Sequence, residues 1–428
     1  MKQIDLLVYN IGLLLTMRGS LKPRVGKEMS EIEVIAGAAI AIHQGRIVAV
    51  GREEDVRAQI IGLPVLNELD AGGRLVTPGL VDPHTHLVHG GSREHELEWK
   101  RQGVPYLDIL AKGGGIHYTV EQTRLASEEE LYQKARHSLD WMLRHGTTTI
   151  EAKSGYGLDM ETEIKQLQVT KQLDQTHPID IVSTFLGAHA VPKEYASNRQ
   201  GYVDLVINEM LPEVKRLHLA SYCDVFCEEG VFSVEESRQI LQAAKQLGFG
   251  VKIHADEVEP LGGAELAGEL GCISAEHLLA STENGFEQMR EAGTIAVCLP
   301  ATSFSLGLRR HARARMMIDL GVPVALATDY NPGSSPTESL QIVMTLASVN
   351  LSMSPEEVLT AMTINAAHAI GRADSIGSLE IGKWADFVLY QATNLAYLPY
   401  HFGINHVDTV VKKGKIVVKN GQLWEKYS

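Results

Sequence analysis

Two histidines one residue apart, His84 and His86, close an apolar run from Leu75 to Val81. If that run is a strand, its side chains alternate faces, so both imidazoles point the same way. Two imidazoles on one face can grip one metal ion. The pair alone is weak, because His-x-His arises by chance. It gains weight because later apolar runs end similarly, at His189, at His254-Ala255-Asp256-Glu257, at Glu276-His277 and at Thr328-Asp329. A random scatter of 17 histidines would rarely place five at such points. His84, His86, His254 and Asp329 offer three neutral nitrogens and one carboxylate, a set that suits zinc or iron and leaves a position for water. The ion lowers the pKa of such a water toward neutrality, so the chemistry expected is hydrolysis.

Side chains scattered over some 250 positions meet only in a fold that gathers strand ends. Eight apolar runs read as strands: Leu75–Val81, Thr147–Ala152, Ile179–Leu186, Tyr222–Phe226, Gly250–Ile253, Cys272–Ser274, Thr294–Leu299 and Val322–Ala327. Between several of them lie amphipathic runs such as Ser127–Arg144, Glu161–Gln175, Ser233–Leu247 and Ser354–Ala369. Ser127-x-x-Glu130 and Ser354-x-x-Glu357 have the form of capping boxes. Alternating strands and helices in eight units predict an α/β fold, a (β/α)₈ barrel whose strand ends converge on one mouth. A doubly wound open sheet is the alternative, but no Gly-x-Gly-x-x-Gly follows the first strand.

The two ends of the chain read differently. Ile4–Tyr9, Gly12–Thr16, Val34–His43 and Arg46–Val50 are short strand-like runs, with a turn at Asn10-Ile11-Gly12 and a hairpin at Gln44-Gly45. Val407–Lys412 and Lys415–Val418 flank a second hairpin at Lys413-Gly414. Neither end can bury a large core alone, so together they are expected to form a small β-sandwich. The expected organisation is residues 1–75 and 375–428 in that sandwich and 76–374 in the barrel.

Composition narrows the function. Apolar content of 44% and charged content of 21% describe a globular chain. The net charge of −14, with no basic run, speaks against nucleic acid as a partner. The apolar stretch Leu6–Met17 is too short to span a bilayer and lacks a signal-peptide cleavage pattern, so no membrane association is expected. Cys223, Cys227, Cys272 and Cys298 form no Cys-x-x-Cys pair and sit in apolar surroundings, which fits buried thiols and a cytoplasmic location. An acidic protein needs a local cation to hold an anionic substrate. Lys153, at the end of the second strand, is expected to be structural or a minor substrate contact, and one metal ion rather than two is expected. His89, His95 and His117 fall in loops over the mouth, and Gly113-Gly114-Gly115 inside the 90–123 connection suggests a mobile lid.

The run Pro78-Gly79-Leu80-Val81-Asp82-Pro83-His84-Thr85-His86 resembles the first-strand signature of the amidohydrolase superfamily, and the resemblance covers nearly the whole chain. Gly90-Gly91-Ser92-Arg93-Glu94, Lys153-Ser154-Gly155-Tyr156-Gly157, Gly187-Ala188-His189-Ala190, Ile253–Glu257 and Ala327–Ser335 resemble one branch of it. That branch opens the ring of 4-imidazolone-5-propanoate to N-formimidoyl-L-glutamate in histidine breakdown. The resemblance implies one zinc or iron ion per chain, held by His84, His86, His254 and Asp329, and a homodimer. It implies that Arg93 binds the propionate, that Tyr156 faces the ring, and that His189 donates to the developing oxyanion. His277 and Asp329 are expected to hold the water and take its proton. Glu257 is expected to bond the ring nitrogens and pass a proton to the leaving nitrogen. Asn331, Gly333 and Ser334 are expected at the carboxylate. Two rivals share the barrel: a nucleobase deaminase, for which Arg93 would have no carboxylate to bind, and a non-catalytic assembly protein, which would be expected to have lost metal ligands.

Overall fold

A computed structural model describes residues 2–19, 21–104 and 114–424. Eight parallel strands stand side by side in chain order: Leu80–Asp82, Thr147–Lys153, Asp180–Ala188, Tyr222–Cys227, Gly250–Ala255, Ser274–His277, Ile295–Cys298 and Val324–Leu326. With the intervening helices they make the expected barrel. The first and last strands meet just beyond their ends, where Asp329 N donates to His84 O (3.1 Å) and His86 N to Tyr330 O (2.8 Å). Deeper in, the Asp82 carboxylate accepts from Thr328 N (3.1 Å) and Thr328 Oγ1 (2.6 Å). The seam of the barrel therefore runs through the residues singled out for chemistry.

The apolar run Leu75–Val81 is not one strand. Leu75–Pro78 pairs with Leu6–Leu15 and Phe387–Tyr390 in the terminal sheet, and only Leu80–Asp82 joins the barrel. Apolarity cannot show this division, because both halves are buried on both faces. Likewise the expected turn at Asn10-Ile11-Gly12 is an irregularity within the single strand Leu6–Leu15, where pairing with Val34–His43 slips between Val8 and Ile11. The Ser354–Ala369 run is two helices, Pro355–Ala361 and Ile364–Ala369, broken where Thr363 leaves helical geometry at ψ −92.

The chain ends form one nine-stranded sheet. Its two halves curl toward each other, so that Ile47 N donates to Lys383 O (3.0 Å) and Ala385 N to Gly45 O (2.8 Å). Leu6, Val8, Ile40, Val76, Phe387 and Val411 share the apolar core between them. The expected hairpins at Gln44-Gly45 and Lys413-Gly414 are present, all four residues having positive φ. The capping boxes are also formed: Ser127 caps Glu128–Arg144 and Ser354 caps Pro355–Ala361, each with its Glu reaching back.

A parallel sheet covered on both faces is ordinarily apolar throughout. Here the barrel interior departs from that rule. Glu151, Lys153, Asp224, Lys252 and Glu276 are buried within it, at no more than 1% exposure. They lie on strands that end at the mouth.

Candidate active site

His84 and His86 leave the first strand two residues apart and reach the mouth on one face, while the intervening Thr85 turns away and donates from Oγ1 to Glu151 O (2.6 Å). Asp329 arrives from the eighth strand, with Oδ1 at 3.4 Å from His84 Nε2 and 3.5 Å from His86 Nε2. The His254 ring lies 4.6 Å from that of His84 and 5.6 Å from that of His86. His277 joins them, 5.4 Å from His254 and 5.8 Å from His84. Two overlapping groups, His84–His86–Asp329 and His84–His254–His277, hold ligand atoms within 4.8 Å of one another.

Backbone strain marks the same place. Asp256, His277, Leu278 and Asp329 all have φ between 51 and 71. Left-handed geometry costs a non-glycine residue on the order of 1–3 kcal/mol, and such residues cluster where side chains must be aimed. Asp329 is held further by Thr302, whose hydroxyl donates to Oδ2 at 2.6 Å, leaving Oδ1 toward the histidines.

The site fits a metal ion. His84 Nδ1 and Nε2, His86 Nδ1 and His254 Nε2 are buried without a hydrogen-bond partner among the described residues. Orphaned buried nitrogens are costly unless something binds them. Burial, helped by Lys153 and the neighbouring imidazoles, pushes His84 well below the usual histidine range, so its neutral ring keeps one nitrogen lone pair for coordination. Burial does the same to His86, helped by His189 and His254. For His254 burial also works downward, but Asp224 outweighs it and the pKa is raised. Asp329 is pushed upward by burial, against His277 and Thr302.

Around this centre lie the other expected residues. His189 stacks on His86, ring centroids 4.9 Å apart, and Tyr156 sits 5.2 Å from His189. His189 Nδ1 lies 3.0 Å from Gly155 O. A carbonyl only accepts, so Nδ1 carries the proton and neutral His189 turns an acceptor, Nε2, to the pocket. Burial pushes its pKa down to about 3. Donation to an oxyanion therefore requires a second proton. Gly155 is at φ 109, and a Cβ there would stand 2.9 Å from His189 Nδ1, so glycine lets this loop reach the ring. Glu257 approaches His277 at 3.7 Å, and burial raises its pKa to about 7. His277 is pushed down to about 4, burial outweighing Asp329.

Arg93 meets Gly333, where any Cβ would stand 2.0 Å from its Nη1. Its Nε and Nη2 donate to the two oxygens of Glu96 at 2.8 and 2.9 Å. Glu96 also accepts from Gly115 N (2.7 Å), joining the arginine to the far side of the 90–123 connection. Residues 105–113 of that connection, with Gly113 of the expected lid, lie outside the described residues. The Asn331 side chain folds back on its own turn. Its Oδ1 accepts from Gly333 N (2.8 Å) and Ser334 N (2.7 Å), so these amides are engaged within their own turn.

Sequence reasoning did not find Glu96, Thr302, Glu163 or Asp224. Glu163 accepts from the amides of Gly155, Gly157 and Leu158 and so shapes the Tyr156 loop. Asp224 Oδ2 stands 3.1 Å from His254 Nδ1. An available signal was a carboxylate inside an otherwise apolar run, Tyr222–Cys227.

A family model described as the amidohydrolase family matches residues 75–417. An imidazolonepropionase of Alkaliphilus metalliredigens is 55% identical over 423 residues, covering 98% of this chain and 99% of its own. One of Bacillus cereus is 53% identical over 422 residues, with the same coverage. Among solved structures, an adenosine deaminase of Xanthomonas campestris with bound zinc superposes at a TM-score of 0.74 and 21% identity, over 99% of this chain and 95% of that one. E. coli guanine deaminase gives 0.68 at 15% identity, over 98% and 100%. At those identities the two structures speak for the fold alone.

Proposed function

The chain belongs to the amidohydrolase family and, within it, to the imidazolonepropionases, and from that premise we propose how its residues share the opening of 4-imidazolone-5-propanoate. The reaction is metal-dependent hydrolysis of the lactam C–N bond. Water adds its oxygen to the carbonyl carbon, the carbon–nitrogen bond breaks, the ring nitrogen takes a proton, and N-formimidoyl-L-glutamate leaves. The observation that supports the assignment of roles is that His84, His86 and Asp329 hold ligand atoms within 4.8 Å of one another, with the His254 ring 4.6 Å from that of His84.

These four residues hold one zinc or iron ion in this reading. When bound, the ion lowers the pKa of water toward neutrality and polarises the carbonyl. Asp329, its second oxygen fixed by Thr302, takes the proton of the attacking water, and His277 orients that water. Glu257, its pKa about 7, is poised to receive a proton and pass it to the leaving nitrogen near neutral pH. His189 accepts from a ring N–H while neutral and donates to the oxyanion only once protonated. Tyr156, buried against His86 and His189, lies along the planar ring. Arg93 binds the propionate through the edge that Glu96 leaves to it, with Gly333 giving room and Asn331 and Ser334 shaping the turn.

A homodimer in the cytoplasm completes the reading. Tyr400, Phe402, Ile404 and Val349 are exposed apolar side chains at 79%, 67%, 53% and 73%. They flank the contact in which Thr345 Oγ1 donates to Pro399 O (3.2 Å), so a second copy has an apolar face to cover. The four cysteines are free and buried, as a reducing compartment allows. No helix among the described residues is long and apolar enough to cross a membrane.

Loss of the ultraviolet absorbance of freshly prepared 4-imidazolone-5-propanoate tests the assignment. Turnover that requires metal and vanishes in Asp329→Ala is expected. Metal bound without turnover would refute the proposed roles. Sedimentation equilibrium giving a monomer would refute the dimer.

A further inference from the structure

The buried charges beneath the mouth are arranged around one carboxylate. Asp224 Oδ2 stands 2.7 Å from Lys153 Nζ and 3.1 Å from His254 Nδ1, and Oδ1 accepts from Val225 N at 2.7 Å. Lys153 Nζ also donates to Glu151 Oε1 at 2.8 Å. Lys252 Nζ lies 3.3 Å from the same Glu151 oxygen and 3.9 Å from Glu276. Thr184 donates to Glu151 and Ser274 to Glu276, both at 2.5 Å. None of these groups lines the substrate side of the mouth in the arrangement described above.

We propose that Asp224, clamped by Lys153, is a positioning residue for the metal site: it fixes the tautomer and direction of His254, and the Lys153 ammonium takes the place of a second cation. An ionised carboxylate only accepts, so the proton shared with Asp224 sits on His254 Nδ1. The other nitrogen, Nε2, then carries the lone pair and has no partner among the described residues. His254 Nδ1 and Asp224 Oδ2 stand 3.1 Å apart as an ion-pair contact, the nearest approach of a carboxylate oxygen to that ring nitrogen. Carboxylates behind ligating imidazoles commonly set ring orientation and ligand basicity.

The second half of the inference comes from a third cluster. Asp224, His254 and Glu276 hold ligand atoms within 4.8 Å of one another, and with His254 Nδ1 protonated the two carboxylates are what would attract a cation. Lys153 already brings an ammonium to it, at 2.7 Å from Asp224. A lysine whose ammonium is held by two buried carboxylates cannot leave without stranding them. The site is thereby built for one ion, with its internal counter-charge supplied by the chain.

The inference rests on the metal reading above, so metal binding is measured directly. Zinc affinity by chelator competition and the visible spectrum of cobalt-loaded protein are compared for wild type, Asp224→Asn, Lys153→Met and the double variant. Asp224→Asn is expected to bind zinc about 10–100-fold more weakly and to shift the cobalt spectrum. The double variant, which removes both charges together, is expected to fold and to bind no better than Asp224→Asn. Lys153→Met is expected to take up two cobalt ions where wild type takes one. Folded Asp224→Asn and double variants with wild-type affinity and spectrum would overturn the positioning role. Folded Lys153→Met that binds one ion would overturn the counter-charge role. Wild type that binds no metal would instead refute the reading on which both rest.

Discussion

Among the described residues, a partly exposed cluster of charge and a wholly buried one differ in what they face. At the joint between barrel and terminal sheet, Lys412 Nζ lies 2.6 Å from Asp386 and 2.8 Å from Asp180, and Lys413 Nζ lies 2.6 Å from Asp180. Two ammoniums meet two carboxylates, and every charge has a partner within the joint. Beneath the mouth, Lys153 and Lys252 stand among Glu151, Asp224 and Glu276. Fully ionised, that group has one carboxylate in excess, and it adjoins His254. Burial pushes Glu276 toward its neutral acid, partly against Lys153, which is one way of absorbing the excess. A cation bound at the mouth is another. Buried ion pairs are weak devices for stability as such. The closed joint ties two parts of the chain together, whereas the network beneath the mouth adjoins the candidate metal site through His254.

This contrast makes separable predictions. Asp329→Ala is expected to lower turnover by about 10³-fold or more, with the melting temperature of metal-free protein little changed. If that melting temperature fell as far as in a joint variant, the division between the clusters would break. Lys412→Met should do the reverse. It leaves Asp386 buried without its partner, at an expected cost of about 3–5 kcal/mol in denaturant unfolding. The turnover of the folded fraction is expected to remain that of wild type. Arg93→Ala is expected to raise KM about 10–100-fold, as loss of a charge-assisted pair predicts. An analogue without the propionate should not sense that substitution, and equal losses for both substrates would argue against the carboxylate contact.

Smaller effects sharpen the same comparison. Asp180 is held below the usual aspartate value: burial would raise it, but Lys412 and Lys413 outweigh burial. Its stabilising contribution is therefore present above the unfolded value near 3.8 and is lost as pH falls through the lower folded value. Asp180→Asn is expected to flatten that acid limb of the stability profile, leaving metal affinity at pH 7 unchanged. Ser127→Ala removes a helix cap remote from both clusters. It is expected to cost about 1 kcal/mol and to alter neither metal content nor KM.

Much of this was legible in the chain. The alternation of strands and helices announced eight units, because each barrel strand is buried on both faces and each helix on one. His84, His86, His254 and Asp329 could be chosen because chemistry at a barrel mouth must come from strand ends. The turns Gln44-Gly45 and Lys413-Gly414 and the caps Ser127 and Ser354 are local devices, set by residues within four positions of one another. The tertiary structure decided what depends on distant partners. Leu75–Pro78 belongs to the terminal sheet because Leu13 and Phe387 offer it edges, which its own composition cannot reveal. Thr302 holds Asp329, Glu96 holds Arg93, and Lys153 finds Asp224 across 71 positions of chain. A hydrogen bond selects by distance and angle in space, so residue type and spacing along the chain could name candidate groups for chemistry but not the groups that aim them.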